Sequence, residues 1–176
     1  MYRLALDEKT TSVMVYWRNK LIHGDLVTRE NVRVSIWLRS QGAPNYIHFL
    51  NAQVLFFGGS PPKSLSYDEF FFPAERIIGF HLAPPASDPP DYHPGEANRT
   101  MVPVQLMLGA FLLAGKVRIS TQTDFQTSIE VMHMTWLSVY DAEITNPFLP
   151  TMPAIRVPML LVSPNQVSYG LGQRVG

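Results

Sequence analysis

The sequence has no cysteine and only four lysines, and charged residues fill 16% of its 176 positions. Without thiols, disulfides and thiolate metal centres are excluded. Fourteen basic residues offset fourteen acidic ones. The basic excess of a protein that grips nucleic acid through its phosphates is therefore missing. No apolar run reaches the ~20 residues that a membrane-spanning helix needs. The longest, Met101 to Ala114, is broken by Pro103, Gln105 and Gly109. The opening residues lack the apolar stretch of a secretory signal, so a cytoplasmic location is expected. There is no nucleophile elbow, phosphate loop or dinucleotide fingerprint. The chain is expected not to be an enzyme, and no cofactor is implied.

What the sequence does contain is self-similarity. A displacement of 91 residues places Val13 on Val104, Val15 on Leu106, Leu21 on Leu112, Gly24 on Gly115 and Leu38 on Ile129. One residue is gained near Gly42-Ala43-Pro44. A displacement of 90 then places Tyr46 on Trp136, His48 on Ser138, Ala52 on Ala142 and the run Phe71–Ile77 on Leu161–Val167. Proline fixes φ and removes donors. The proline-rich stretch 83–100 therefore reads as a stiff, extended linker between a first unit, 10–82, and a second, 101–172.

Each unit reads as mainly β. Strands are expected at Ser12–Trp17 and Leu21–Thr28, then at Asn45–Phe57. Glu69–Phe72 and Arg76–Leu82 follow as a tight pair about the turn Pro73-Ala74-Glu75. The second unit repeats this at Val102–Leu108, Phe111–Ser120, Trp136–Thr145, Pro158–Val162 and Gln166–Leu171. Asp124 followed by Phe125, Ile129 and Met132 predicts a capped short helix after the second strand. Residues 31–41 are ambiguous: Val32, Val34, Ile36 and Leu38 alternate like a strand, while Val34, Leu38 and Gln41 fit a helix, which the repeat favours.

This order of elements, with a bend at Gly24-Asp25-Leu26-Val27, an acidic Glu30 and the run Phe71–Ile78, resembles the Sm-like small barrel. The second unit also resembles a group of uncharacterised bacterial small-barrel domains. The resemblance implies two tandem five-stranded barrels, with rings closed by pairing a fourth strand with the fifth of the next barrel. The family's RNA-contact residues have no match: Glu30, Arg33, Val34 and Ala74-Glu75-Arg76 occupy their places, so that activity is not carried over.

Two surfaces remain as candidates. Met101, Val102, Val104, Leu106, Met107 and Phe111 form a hairpin that is apolar on both faces. A sheet with one solvated face alternates, so this hairpin requires a cover: the first unit, a second copy of the chain, or another protein. Phe70 and Phe71 raise the same question in the first unit. The leading expectation is an assembly protein that oligomerises or docks on a partner through its strand edges. Arg29, Arg33 and Arg39 with Tyr46 form a basic-aromatic cluster that could stack and hold single-stranded RNA, and this is the alternative. A metal or small-ligand enzyme is the third reading. His23, His48 and Asp25 are its candidate cluster, although none of the five histidines, His133 included, shows ligand spacing.

Overall fold

The computed structural model describes residues 2–40, 42–59, 61–131 and 134–172. Gln41, Met132 and His133 lie outside these residues. Among the described residues, ten strands join in one antiparallel sheet. In chain order they are β1 (Glu8–Trp17), β2 (Lys20–Arg29), β3 (Tyr46–Phe56), β4 (Lys63–Pro73), β5 (Gly79–Leu82), β6 (Arg99–Leu108), β7 (Phe111–Ser120), β8 (Leu137–Thr145), β9 (Ile155–Val162) and β10 (Ser168–Gly170). Helix α1 (Val34–Arg39) follows β2, so the ambiguous stretch is helical at its centre, and α2 (Phe125–Glu130) follows β7. Asp124 caps α2 by accepting from the Thr127 N–H at 2.7 Å.

The order across the sheet is β10-β6-β7-β8-β9-β5-β1-β2-β3-β4. Each half thus has its fifth strand, then first, second, third and fourth. One expectation is corrected here. β4 and β5 do not pair with each other, nor do β9 and β10. Short 3₁₀ turns, Ala74–Arg76 and Pro164–Gln166, turn the chain out of the strand, and β5 and β10 cross to pair with β1 and β6.

Several local features recur at a spacing of 91 or 90 residues. The two-residue hairpin loops have positive φ at Arg18 and Gly109, as tight antiparallel turns require. The register of β2 on β3 shifts at Gly24, and that of β7 on β8 at Gly115. A Cβ at Gly115 would stand 2.6 Å from Val139, and one at Gly24 would stand 3.1 Å from the Ala52 backbone. Opposite each bulge, Asn51 and Asp141 take φ of 51° and 49°. Asn and Asp tolerate this region better than other side chains. There the inward-facing set switches, from Ile47 and Phe49 to Ala52 and Val54, and from Leu137 and Val139 to Ala142 and Ile144. Each bend is tied across by one polar contact: Asn51 donates to Asp25 at 3.1 Å, and Lys116 donates to Asp141 at 2.9 Å.

Two apolar cores result, and each borrows from the other half. Trp136 and Leu161 complete the core of the first half; Tyr16, Leu21 and Ile78 complete that of the second. The sheet is continuous because β5 pairs with β9 at Gly79↔Val162 and Phe80↔Leu161. Among the described residues, no helix is long and apolar enough to cross a membrane.

Candidate assembly interface

β4 and β10 are the two margins of the sheet, and a margin leaves a row of backbone N–H and C=O groups without a strand partner. The seam between the halves shows what such margins do when they meet. Besides the β5–β9 ladder, Ser163 N–H donates to the Ile78 carbonyl at 2.8 Å and Ala110 N–H to the Arg18 carbonyl at 2.9 Å. The Gln166 amide donates to the Glu75 carbonyl at 3.3 Å, and the Trp136 indole to the Leu38 carbonyl at 3.0 Å. Phe111 meets Tyr16 and Phe57 edge-on, at 4.9 and 5.0 Å between ring centroids. Leu108 fills the space left by Gly79, whose Cβ would lie 2.8 Å from it.

The same side-chain positions look different at the open margins. Tyr16 and Leu21 are 0% and 4% exposed at the seam; their counterparts Met107 and Leu112 are 61% and 41% exposed. Leu161 and Trp136 are 1% and 7% exposed; their counterparts Phe71 and Tyr46 are 57% and 59% exposed. Of the hairpin residues singled out from the sequence, Val104, Leu106 and Phe111 are buried in the chain's own core. Met101 and Val102 are half-buried, and Met107 stands in solvent. The first half therefore covers part of the apolar hairpin. Phe70 is half-buried, stacked near Tyr67 and Phe72, while Phe71 stacks on His48 at 4.4 Å. Leu112 was missed in the sequence, although its 91-residue relation to Leu21 carried the signal.

The basic cluster is largely occupied. Arg33 donates to Asp88 at 3.0 Å and to the Pro89 carbonyl at 2.6 Å. Arg39 pairs with Asp91 and donates to Ser138 at 2.9 Å. Asp91 also accepts from Ser138 at 2.8 Å and from Tyr140 at 2.6 Å. Burial raises the Asp91 proton affinity, but the bonds from Tyr140, Arg39 and Ser138 outweigh it and hold the carboxyl below the usual range. Burial and the Asp91 carboxylate push the Tyr140 hydroxyl up. The expected stiff linker is thus fastened by its acidic side chains to both halves. Arg29 is exposed at the end of β2, and Tyr46 lines a cleft of about 450 Å³ with Leu38, Glu75 and Trp136.

His23 and His48 do not converge. His23 faces Gln53 across the ladder and hydrogen-bonds Ser12 at 3.2 Å, whereas His48 faces Phe71. Gln53 and His48 are five residues apart on β3, or roughly 16 Å at ~3.3 Å per residue. Asp25 is taken by Asn51. No group of three His, Cys, Asp or Glu side chains suits a metal ion among the described residues. His81 is a core side chain: Nδ1–H donates to the Leu82 carbonyl at 2.7 Å, and Nε2 accepts from the buried Tyr16 hydroxyl at 2.9 Å. Burial depresses its pKa to about 4. Comparison of the chain with family models, with curated proteins and with solved structures finds no match.

Proposed function

We propose that this chain is a tandem Sm-like repeat that works as an assembly protein without catalysis, binding through its two open strand edges. The observation that carries the reading is the mismatch in exposure between the seam and the margins. Met107, Leu112, Phe71 and Tyr46 are in solvent where Tyr16, Leu21, Leu161 and Trp136 are buried. Full burial of a large apolar side chain is worth ~1.5–3 kcal/mol, so a partner that covers both margins gains substantially. The common strand order of the halves, the bends at Gly24 and Gly115 and the 3₁₀ turns before β5 and β10 support the Sm-like reading.

The two margins differ, one being a fourth strand and the other a fifth, so joining them is heterologous. Such contacts close into rings or run on as filaments. Light scattering over a range of concentrations tests the reading. A multimer that Met107→Asp or Leu112→Asp converts to folded monomers supports it, and a strict monomer at high concentration excludes self-association and leaves intrachain packing or docking on another protein. RNA binding is the weaker reading, because Asp88 and Asp91 already neutralise Arg33 and Arg39.

A further inference from the structure

We propose that the outer edge of β4 receives an extended, partly acidic segment of another protein, whose carboxylates meet Lys63 and the cations behind it and whose apolar side chains meet Leu65 and Tyr67. The inference rests on the reading of the open margins as binding edges and names the chemistry of what binds one of them.

Charge is distributed unevenly over the two halves. Among the described residues of the second half, every arginine and lysine has a carboxylate partner: Arg99 and Arg118 share Glu96, Lys116 pairs with Asp141, and Arg156 with Glu143. In the first half, Arg33 and Arg39 are paired with the linker. Arg18, Lys20, Lys63 and Arg76 have no carboxylate partner among the described residues, and they gather at one end of that half.

Trp17, Lys20, Phe56 and Lys63 stand directly opposite one another on β1, β2, β3 and β4. Their side chains therefore share one face, and they run aromatic, cation, aromatic, cation out to the edge of the sheet. The Lys20 ammonium lies 4.3 Å from the Trp17 ring centroid and 5.4 Å from that of Phe56. The guanidinium groups of Arg18 and Arg76 lie 6.0 and 5.9 Å from the same indole. Attraction to the ring face holds each cation, but it leaves their common positive field unneutralised. The corresponding positions of the second half are Leu108, Phe111, Asn146 and Pro153, all uncharged. The field thus belongs to this margin and not to the repeated fold.

β4 offers the ladder. Residues 63–69 are all exposed, and no strand lies beyond them among the described residues. The seam engages only Leu161 and Val162, the last two residues of β9, so a margin covered in the same manner leaves this stretch open. An added strand bonds to such an edge through its backbone and is selected by its alternate side chains. On the face of Lys63 they meet Leu65 and Tyr67, both exposed. A cleft of about 350 Å³ lies there, lined by Asn19, Phe56, Lys63 and Leu65. Asp68 and Glu69 follow on β4 and repel carboxylates. The acidic residues of the segment therefore belong at the Lys63 end, with uncharged ones beyond. A nucleic acid fits less well: Lys20 covers a face of Trp17 on which a base would stack, and a sugar–phosphate chain cannot continue a β-ladder.

The test is fluorescence anisotropy of a labelled peptide, Glu-Thr-Glu-Thr-Val-Thr-Leu-Thr, titrated with the full chain. The peptide should bind, and more weakly as salt rises. Lys63→Gln should weaken binding about tenfold with the thermal midpoint of the protein unchanged, and Lys63→Arg should preserve it. A peptide with Gln in place of each Glu should lose at least as much. A peptide with Pro in place of each Thr keeps its charge but lacks those N–H donors, and it should not bind. Equal binding by the Gln peptide removes the selection by charge, and equal binding by the Pro peptide removes the added strand; either result overturns the inference. So does single-stranded RNA of mixed sequence that binds more tightly than the acidic peptide. Failure of the acidic peptide to bind overturns the inference whatever the oligomeric state, and a multimer that Met107→Asp dissociates then leaves the assembly reading standing. A strict monomer that binds the peptide supports the inference, with docking on another protein in place of self-association.

Discussion

Acid should weaken this fold at a pH where its carboxylates are still ionised, and the cause is His81. Its ring is buried with both nitrogens engaged: Nδ1–H on the Leu82 carbonyl, and Nε2 accepting from Tyr16. A proton on Nε2 would leave the Tyr16 hydroxyl without its acceptor and place a charge in the core. Folded His81 therefore titrates at about 4, against 6.5 for a free side chain. The unfolded chain takes up a proton first as pH falls. Stability is full above about 6.5, is lost between there and about 4, and falls no further from this group below that. At about 1.4 kcal/mol per tenfold change in proton affinity, the complete loss is roughly 3 kcal/mol, and between pH 7.5 and 5.0 it is roughly 2 kcal/mol. The depressed carboxyl of Asp91 contributes in the opposite region, because its contribution is lost only as pH falls below its ordinary value of 3.8. Urea unfolding followed by fluorescence at pH 7.5 and 5.0 measures the difference. The paired variant Tyr16→Phe with His81→Phe removes both partners and should show a fall smaller by that roughly 2 kcal/mol. An equal fall in the two proteins refutes the reasoning.

Replacing Met107 or Leu112 by Asp should abolish self-association and change the unfolding free energy by less than ~1 kcal/mol, since both side chains are in solvent; Phe111→Asp should unfold the chain instead. Gly109→Ala should cost at least about 2 kcal/mol, because the new Cβ would sit 1.8 Å from the Arg18 carbonyl oxygen at a φ of +63°, and denaturant midpoints check it. Asp91→Asn should destabilise by about 1–3 kcal/mol and speed nicking of residues 84–98 by proteinase K, because it weakens the tie among Arg39, Ser138 and Tyr140. Single-stranded RNA should bind weakly at physiological salt, and submicromolar affinity in an anisotropy titration would overturn that.

Much of the strand pattern was legible because alternation and turn chemistry act locally. Val13 and Val15 against Val104 and Leu106 placed the hairpins, and Asp124 placed the cap of α2. What escaped depends on contacts distant in sequence. Nothing local tells that Pro73-Ala74-Glu75 turns the chain out of its strand instead of closing a hairpin, since a 3₁₀ turn and a tight turn use similar residues. The two faces of Met101–Ala114 read alike in the sequence, yet one is core and the other leaves Met107 in water; which face is covered depends on Tyr16 and Phe57, far upstream. Arginines 33 and 39 read as an open basic patch because their acidic partners lie in the linker, more than fifty residues on.

The sharing of side chains between the two cores imposes an order of events during synthesis. The first half is complete at Leu82, but the core that takes in Tyr16, Leu21 and Ile78 is not complete until Val162, 80 residues later. At about 5–20 residues per second, that interval lasts roughly 4–16 s. Throughout it, a nascent chain presents β5 and an uncovered apolar margin to its surroundings. A neighbouring nascent chain could pair there in place of the chain's own β9. The proline-rich tether limits this error by holding β9 at an effective concentration on the order of millimolar once it emerges. A stop codon or a slow stretch within residues 100–160 should therefore be more damaging to the cell's yield of this protein than the loss of a few core contacts.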